Sequence, residues 1–80
     1  MPNVSVQYFA ILREQRGLTH ESLTTEAKTP ASLYDALRAR HAFTLPSDRV
    51  RAAVNGTFVD PHSTLNDGDE VVFIPPVAGG

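Results

Sequence analysis

The residues with the most distinctive chemistry lie at the carboxyl end of the chain, in the run FIPPVAGG. A carboxylate on a terminal glycine can be activated at its own carbonyl, because no Cβ obstructs attack on a nucleotide phosphate or a later attack by sulfur. Proline holds the backbone extended, which reduces the entropy that the segment loses when it enters a narrow channel. We therefore expect a flexible tail with a stiff root, whose reacting group is Gly80. The tail consists of Pro75, Pro76, Val77, Ala78, Gly79 and Gly80.

The three histidines are interpreted as surface residues. His20, His41 and His62 fall on an expected edge strand, a helix end and a loop, and no two of them have the spacing of metal ligands. We therefore assign them no metal site and no acid–base role.

Four acidic residues near the carboxyl end, Asp60, Asp67, Asp69 and Glu70, resemble a calcium loop only superficially. The run NDGDE lacks the alternating oxygen ligands and the glutamate at the twelfth position that such a loop requires. We interpret it as a solvated turn, and the alternative is an acidic patch that docks on a basic partner. No serine lies in a strand-to-helix elbow between glycines, so the pattern of a serine hydrolase is also missing.

Composition limits the class of protein. The chain has 80 residues, of which 41% are hydrophobic and 20% charged, as expected for one small globular domain. With no cysteine it can form neither a disulfide nor a thiolate site, and a net charge of −2 with seven scattered Lys and Arg does not favour nucleic-acid binding. No apolar run approaches the ~20 residues that span a bilayer, and MPNVSVQYF is unlike a signal peptide. We expect a cytoplasmic protein without a nucleic-acid or membrane partner.

The first third of the chain predicts two strands around a short helical segment. VSVQYF, residues 4–9, alternates as a strand does, with Phe9 on the side opposite Tyr8. AILREQRG allows one or two helical turns that end at Gly17. THESLTTEA, residues 19–27, has the polar composition of an edge strand.

One main helix is predicted from the run TPASLYDALRARHAF. Thr29 can cap its N-terminus, and Pro30 suits its first position. The residues that recur at helical spacing are Leu33, Ala36, Leu37 and Arg40.

Two turns organise the last third of the chain. Asn55-Gly56 tolerates positive φ at both centres of a type I′ turn, so residues 50–54 and 57–60 are predicted to form a hairpin. Asp67-Gly68 marks a second tight turn before a final strand, residues 70–74. Both faces of that strand are apolar, which is typical of a central strand.

The predicted order is strand, short helical segment, strand, helix and three strands. A single main helix covers one face of the sheet and leaves the other to solvent or to a partner. A right-handed crossover through that helix gives an α+β, ubiquitin-like β-grasp fold with a mixed sheet of about five strands. A ferredoxin-like sheet would need a second full helix. We expect residues 1–80 to form this single domain, with residues 75–80 as its tail.

The sequence resembles the MoaD/ThiS family of sulfur carriers, and within it the small subunits of molybdopterin synthase. The resemblance is carried by YFAILRE, AAVNGT and LNDGDEVVFIPPVAGG, and it spans nearly the whole chain. RGLTHESLTTEAKTP and the loop after the helix are not diagnostic. The YFAILRE start favours the MoaD branch over ThiS, whose chains are usually shorter and lack that segment.

The resemblance implies that Gly80 is adenylated by an E1-like enzyme with ATP and Mg²⁺ and then converted to a thiocarboxylate by a sulfur donor. The large subunit of the synthase would receive the tail and build the dithiolene of molybdopterin from cyclic pyranopterin monophosphate, with one carrier consumed for each sulfur. The chain would be a non-catalytic, sulfur-donating subunit that binds no cofactor of its own.

The same resemblance implies partner-docking roles for Phe9, Arg13, Phe58 and Ile74. Strand alternation independently puts Phe9 and Ile74 on the face without a helix, and points Phe58 away from Val59, which we expect to face inward. The other interpretation is ordinary partial burial, because single exposed apolar residues are common.

Other functions share this pattern. A carrier of the same chemistry could supply thiamine, cysteine or another thiolated product. A ubiquitin-like modifier would instead form an isopeptide bond with a lysine of another protein, and a β-grasp interaction module would have an inert, frayed tail. Beyond the YFAILRE segment, the sequence does not rank the pathways.

Overall fold

A computed structural model describes residues 2–76. The strands are β1 (Asn3–Tyr8), β2 (His20–Thr24), β3 (Arg51–Val54), β4 (Thr57–Phe58) and β5 (Glu70–Ile74). The helices are α1 (Ala10–Arg16) and α2 (Pro30–His41), and a 3₁₀ turn spans Ser47–Arg49. The order of these elements is the predicted one, with α1 as the short helical segment.

The five strands form one mixed sheet in the order β2-β1-β5-β3-β4. β1 and β5 run parallel, with Ser5 opposite Glu70 and Tyr8 opposite Phe73, and the other three pairs are antiparallel. β5 therefore lies at the centre of the sheet, as its two apolar faces predicted. β2 lies at an edge, as its polar composition predicted.

A capping box starts α2. Thr29 Oγ1 accepts a hydrogen bond from the backbone N–H of Ser32 at 3.1 Å, and Ser32 Oγ accepts one from the backbone N–H of Thr29 at 3.2 Å. These reciprocal bonds satisfy donors that a helix N-terminus otherwise leaves free. Pro30 follows in the first turn, as predicted. Ala42 ends the helix in the left-handed conformation, and its N–H donates to the carbonyl of Arg38.

Both helices bury side chains against the same face of the sheet. The rings of Phe43 and Phe73 lie 5.9 and 5.3 Å from the ring of Tyr34, centre to centre. Each fully buried apolar side chain contributes roughly 1.5–3 kcal/mol. On α2, Ala36 and Arg40 are exposed, so the predicted spacing identifies only part of the buried stripe. The core consists of Val4, Val6, Tyr8, Leu12, Leu33, Tyr34, Leu37, Phe43, Ala52, Leu65, Val71 and Phe73.

Both predicted turns are present. In the β3–β4 hairpin, φ is 53° at Asn55 and 86° at Gly56, and a type I′ turn requires both angles to be positive. In the second turn, φ is 88° at Gly68. The N–H of Gly68 donates to the carbonyl of Asn3 at 2.7 Å, which ties the entry of β5 to the start of β1.

Every strand except β5 differs from the prediction at one end or both, and β2 and β3 each begin one residue later than expected. β1 begins and ends one residue earlier than expected. β2 stops at Thr24 because its partner strand begins at Asn3, directly opposite. β4 stops at Phe58, because Asp60 accepts a hydrogen bond from the backbone N–H of His62 and turns the chain away from the sheet.

Neither helix could cross a bilayer. α2, the longer of the two, has 12 residues, whereas a span needs about 20. Over residues 2–76, no helix is long and apolar enough to be a membrane span.

Candidate functional site

The helix-free face of the sheet lies opposite the core, and the strand register determines which side chains it carries. One row of paired residues crosses the sheet from His20 to Gln7, Val72, Ala53 and Phe58. Residues that oppose each other in neighbouring strands point to the same side. These five residues therefore lie together on the face that neither helix covers.

The predicted docking positions Phe9 and Ile74 meet at one end of this face. Tyr8 pairs with Phe73 in the parallel ladder, so Phe9 and Ile74, the next residue along each chain segment, leave the sheet at the same end. The side chain of Phe9 is 41% exposed, and that of Ile74 is half-buried.

The tail root follows directly. Pro75 is half-buried and Pro76 is exposed, and neither belongs to a strand. A proline has no N–H to donate to a ladder, so the β-structure ends with the residue before them. The remaining tail residues, Val77, Ala78, Gly79 and Gly80, lie outside the described residues, and the role assigned to Gly80 stays a prediction.

Phe58 projects from the helix-free face with 61% of its side chain exposed. Val59, its neighbour, packs against the core, as the strand alternation predicted. The guanidinium carbon of Arg51 lies 5.5 Å from the centre of the Phe58 ring, within the ~6 Å range of a cation–π interaction. Ala53 is only 8% exposed although no helix covers it, because Phe58 and Val72 flank it on the neighbouring strands.

Arg13, the fourth predicted docking position, is exposed on α1. Its N–H donates to the carbonyl of Phe9 at 3.4 Å, and its carbonyl accepts from the N–H of Gly17 at 2.8 Å. Gly17 ends the helix with a φ of 82°, as predicted. α1 therefore presents an exposed cation one helical turn after Phe9.

A carboxylate holds α1 against the edge strand. Glu21 on β2 accepts hydrogen bonds from Tyr8 Oη at 2.7 Å and from Arg16 Nε and Nη2 at 2.8 and 2.9 Å. The hydrogen bonds from Arg16 are the main cause that lowers the pKa of Glu21 from 4.5 to about 2. Burial, with the hydrogen bond to Glu21, raises the pKa of Tyr8. The cluster joins β1, α1 and β2.

The acidic run before β5 is less solvated than predicted. Asp69 is only 9% exposed, and its carboxylate accepts hydrogen bonds from Asn55 Nδ2 at 3.0 Å and from the N–H of Asn66 at 2.8 Å. Asn55 Oδ1 in turn accepts from the N–H of Glu70 at 2.9 Å. The prediction of a solvated turn is therefore wrong at Asp69, because its carboxylate joins the two turns that flank β5.

The histidines do not converge on a site. Over residues 2–76, no group of three or more His, Cys, Asp or Glu is arranged to hold a metal ion. His20 and His62 are exposed, whereas His41 is half-buried with its ring 5.7 Å from that of Phe43. Burial lowers the pKa of His41. The surface interpretation therefore fits two of the histidines, and His41 is a packing residue.

Two side chains that shape this region were missed by the sequence analysis. Arg51 carried a usable signal: the two-residue turn fixes the hairpin register, so Arg51 must share a face with Ala53 and its partner Phe58. Glu21 carried none, because its partners Tyr8 and Arg16 come from two other elements of the fold.

Comparison with known sequences identifies the family. The ThiS family model matches residues 6–80. The chain is 38% identical over 80 residues to the molybdopterin synthase sulfur carrier subunit of Escherichia coli, covering 96% of this chain and 99% of that protein. It is 42% identical over 84 residues to the molybdopterin synthase sulfur carrier subunit of Mycobacterium tuberculosis, covering 100% of both.

Solved structures share the fold. A Pyrococcus furiosus protein described as molybdopterin converting factor subunit 1 has a TM-score of 0.78 at 32% identity, covering 96% of this chain and 100% of that one. A chain from the complex of subunits 1 and 2 of the Helicobacter pylori molybdopterin-converting factor has a TM-score of 0.67 at 24% identity, covering 98% and 99%. The ubiquitin of Caldiarchaeum subterraneum has a TM-score of 0.63 at 20% identity, covering 99% and 98%. At these identities the last two likenesses concern the fold alone, which is the predicted ubiquitin-like β-grasp.

The sequence match begins within β1, at residue 6, and continues to Gly80. It therefore includes all three motifs on which the resemblance was based, and both relatives share more than 30% of their residues with this chain over nearly its full length. The chain belongs to the ThiS family.

Proposed function

We propose that this chain is the sulfur-carrier subunit of a molybdopterin synthase. The observation that carries the proposal is the family match that continues through the two tail glycines to Gly80. In the proposed reaction, the Gly80 carboxylate attacks the α-phosphate of ATP on an E1-like enzyme, and pyrophosphate leaves. Hydrosulfide supplied by the donor then attacks the acyl carbon and displaces AMP, and loss of its proton leaves a thiocarboxylate.

The position of β5 supports this role. The strand is paired on both sides, with β1 and with β3, and it leads directly into Pro75. A strand held from both sides fixes the direction in which the following residues depart. Residues 75–80 can extend by at most about 20 Å, so the reacting carboxylate could enter a partner's active site while the folded domain stays on the partner's surface.

The helix-free face supplies the surface for that docking. Phe9 and Ile74 lie beside the tail root, and Phe58 projects from the same face two strands away from Ile74. Burial of a few large apolar side chains commonly provides most of the binding energy of an interface. A large synthase subunit that covered these three residues would also hold the entry of the tail.

The chain itself would supply a sulfur-bearing tail and not a catalytic centre. ATP and Mg²⁺ would be bound by the E1-like enzyme, the pterin by the large subunit, and no cofactor by this domain. We assign the reaction to the cytoplasm, where the activating enzyme would draw on the ATP pool.

Intact mass spectrometry tests this proposal. After incubation with ATP, Mg²⁺, the E1-like enzyme of the same organism and a sulfur donor, a fraction of the chain should be heavier by one oxygen-to-sulfur exchange. Fragmentation should localise the exchange to Gly80. If Gly80 is found only as the carboxylate after this incubation, the carrier role is contradicted. Adducts of the chain on lysines of other proteins would instead favour a ubiquitin-like modifier.

Two tail variants serve as matched controls. Deletion of Gly80 and addition of one residue after it both remove the reacting glycine carboxylate from its position. Both variants should fail to gain sulfur, while their melting temperatures stay close to that of the wild type, because residues after the last strand contribute little packing. A large fall in melting temperature would mean that the tail packs in the core.

A further inference from the structure

Arg51 presents a cation beside the tail root that the proposed function does not use. It pairs with Ile74 across the β3–β5 ladder, is exposed, and lies with its guanidinium carbon 5.5 Å from the centre of the Phe58 ring. Among residues 2–76, the ion pair found joins Arg16 to Glu21, so no carboxylate in that part of the chain neutralises Arg51.

Two acidic residues belong to the segments next to β3, Asp60 after β4 and Glu70 at the start of β5, and neither forms an ion pair with Arg51. Asp60 comes two residues after Phe58, but its Oδ1 accepts a hydrogen bond from the N–H of His62 at 2.7 Å. Glu70 begins β5 at the far end from Ile74, a separation of about 13 Å along an extended strand. The tail end of the face therefore carries the positive charge of Arg51.

Stacking on Phe58 prepares Arg51 to bind a carboxylate. A guanidinium that lies over an aromatic ring keeps its N–H groups directed outward in its plane, and a carboxylate can accept two of them side by side. The ring also restricts the rotamers of the arginine, so less entropy is lost when the contact forms.

We propose that Arg51 is a specificity-determining docking residue, which selects a partner that presents a carboxylate next to the apolar recess that receives Phe58. This inference rests on the proposed function, in which the helix-free face docks on the large synthase subunit. A purely apolar or basic surface placed on Phe58 would desolvate Arg51 without a counter-charge, which is unfavourable. The cation would thus admit acidic partners and exclude others that fit only the apolar side chains.

The test compares variants of the whole chain in binding to the large synthase subunit of the same organism, at several salt concentrations. Arg51→Met keeps the length of the side chain and removes its charge, Arg51→Lys keeps the charge without the planar group, and Arg51→Glu reverses the charge. Arg40→Met removes a charge from the exposed side of α2 and is the matched control. Conversion of Gly80 to the thiocarboxylate is measured in parallel for every variant.

Arg51→Met should weaken binding about three- to tenfold, mainly through slower association, and reduce its salt dependence. Arg51→Lys should keep the salt dependence and lose part of the affinity. Arg51→Glu should bind more weakly than Arg51→Met and Arg51→Lys. The affinity of Arg40→Met should stay within about twofold of the wild type. If the Arg51 variants bind with the same affinities and salt dependences as Arg40→Met, the inference is overturned and the proposed function stays intact. A wild-type chain that acquires no sulfur and does not bind the large subunit would overturn both.

Discussion

The two faces of the sheet are built from the same alternating strands and have opposite properties. On the covered face, Val6 and Val71 are 0% exposed and Phe73 is 1% exposed, beneath two helices of the same chain. On the helix-free face, Phe9 is 41% and Phe58 61% exposed. The first set of apolar residues is covered by other parts of the chain, whereas much of the surface of the second set remains exposed.

This difference separates stability from recognition. Removing apolar surface from water stabilises the fold only where the chain itself covers that surface. Substitutions on the covered face should therefore change the free energy of unfolding, and substitutions on the helix-free face should change association.

Phe73→Ala should have the largest effect, a loss of about 3–5 kcal/mol in the free energy of unfolding, because it opens a cavity under the centre of the sheet. Urea denaturation measures the loss, and Phe73→Leu, which keeps most of the volume, is the control. A loss below about 1 kcal/mol would contradict the assignment of stability to the covered face.

Glu21→Gln should lower the free energy of unfolding by about 1–2 kcal/mol at neutral pH, because it removes the charge that accepts three hydrogen bonds at the sheet edge. The folded state lowers the pKa of Glu21 from 4.5 to about 2. Its stabilising effect is therefore complete above pH ~4.5 and is lost as the pH falls towards ~2. Denaturation of both proteins across this range should show the difference shrinking with acidity, and a difference independent of pH would refute the role of the charge.

Thr29→Ala should cost about 1 kcal/mol, because it removes one half of the capping box at the start of α2. Thr29→Ser keeps the hydroxyl and should stay close to the wild type in the same thermal melts. Equal losses in the two variants would show that the hydroxyl does not contribute through the cap.

Phe58→Asp should change the free energy of unfolding by less than about 0.5 kcal/mol, because the side chain lies mostly in solvent. The same substitution should weaken association with the large synthase subunit by more than tenfold, since a charge would be desolvated within the interface. Calorimetric titration and thermal melting separate the two effects. Binding as strong as that of the wild type would exclude Phe58 from the interface.

Local sequence signals were sufficient for much of the fold. Asn55-Gly56 predicted the hairpin because few other dipeptides accept positive φ twice, and Thr29 with Pro30 predicted the start of α2 because caps act within one turn. The apolar residues of β5 predicted a central strand. In each case, the property is determined by residues that are adjacent or nearly adjacent in the chain.

The missed features depend on contacts between distant segments. Asp69 is buried because Asn55, on another turn, donates to it, and nothing in the run NDGDE records that contact. Tyr34, which is not among the residues that recur at the predicted spacing, lies in the core between the rings of Phe43 and Phe73, and this depends on how α2 is rotated over the sheet. The alternation of residues identified Phe9, Phe58 and Ile74 as neighbours on one face, and their docking role awaits the binding measurements.

The parallel pairing of β1 with β5 has a consequence for how the carrier is made. Ser5 pairs with Glu70, so the centre of the sheet joins two segments that are 65 positions apart in the chain. Contacts between segments so far apart in the chain form late, because the loop between them must close first. The sheet therefore cannot be completed until β5, Glu70–Ile74, has been synthesised. An activating enzyme that recognises the finished sheet would spend ATP only on carriers that have completed folding.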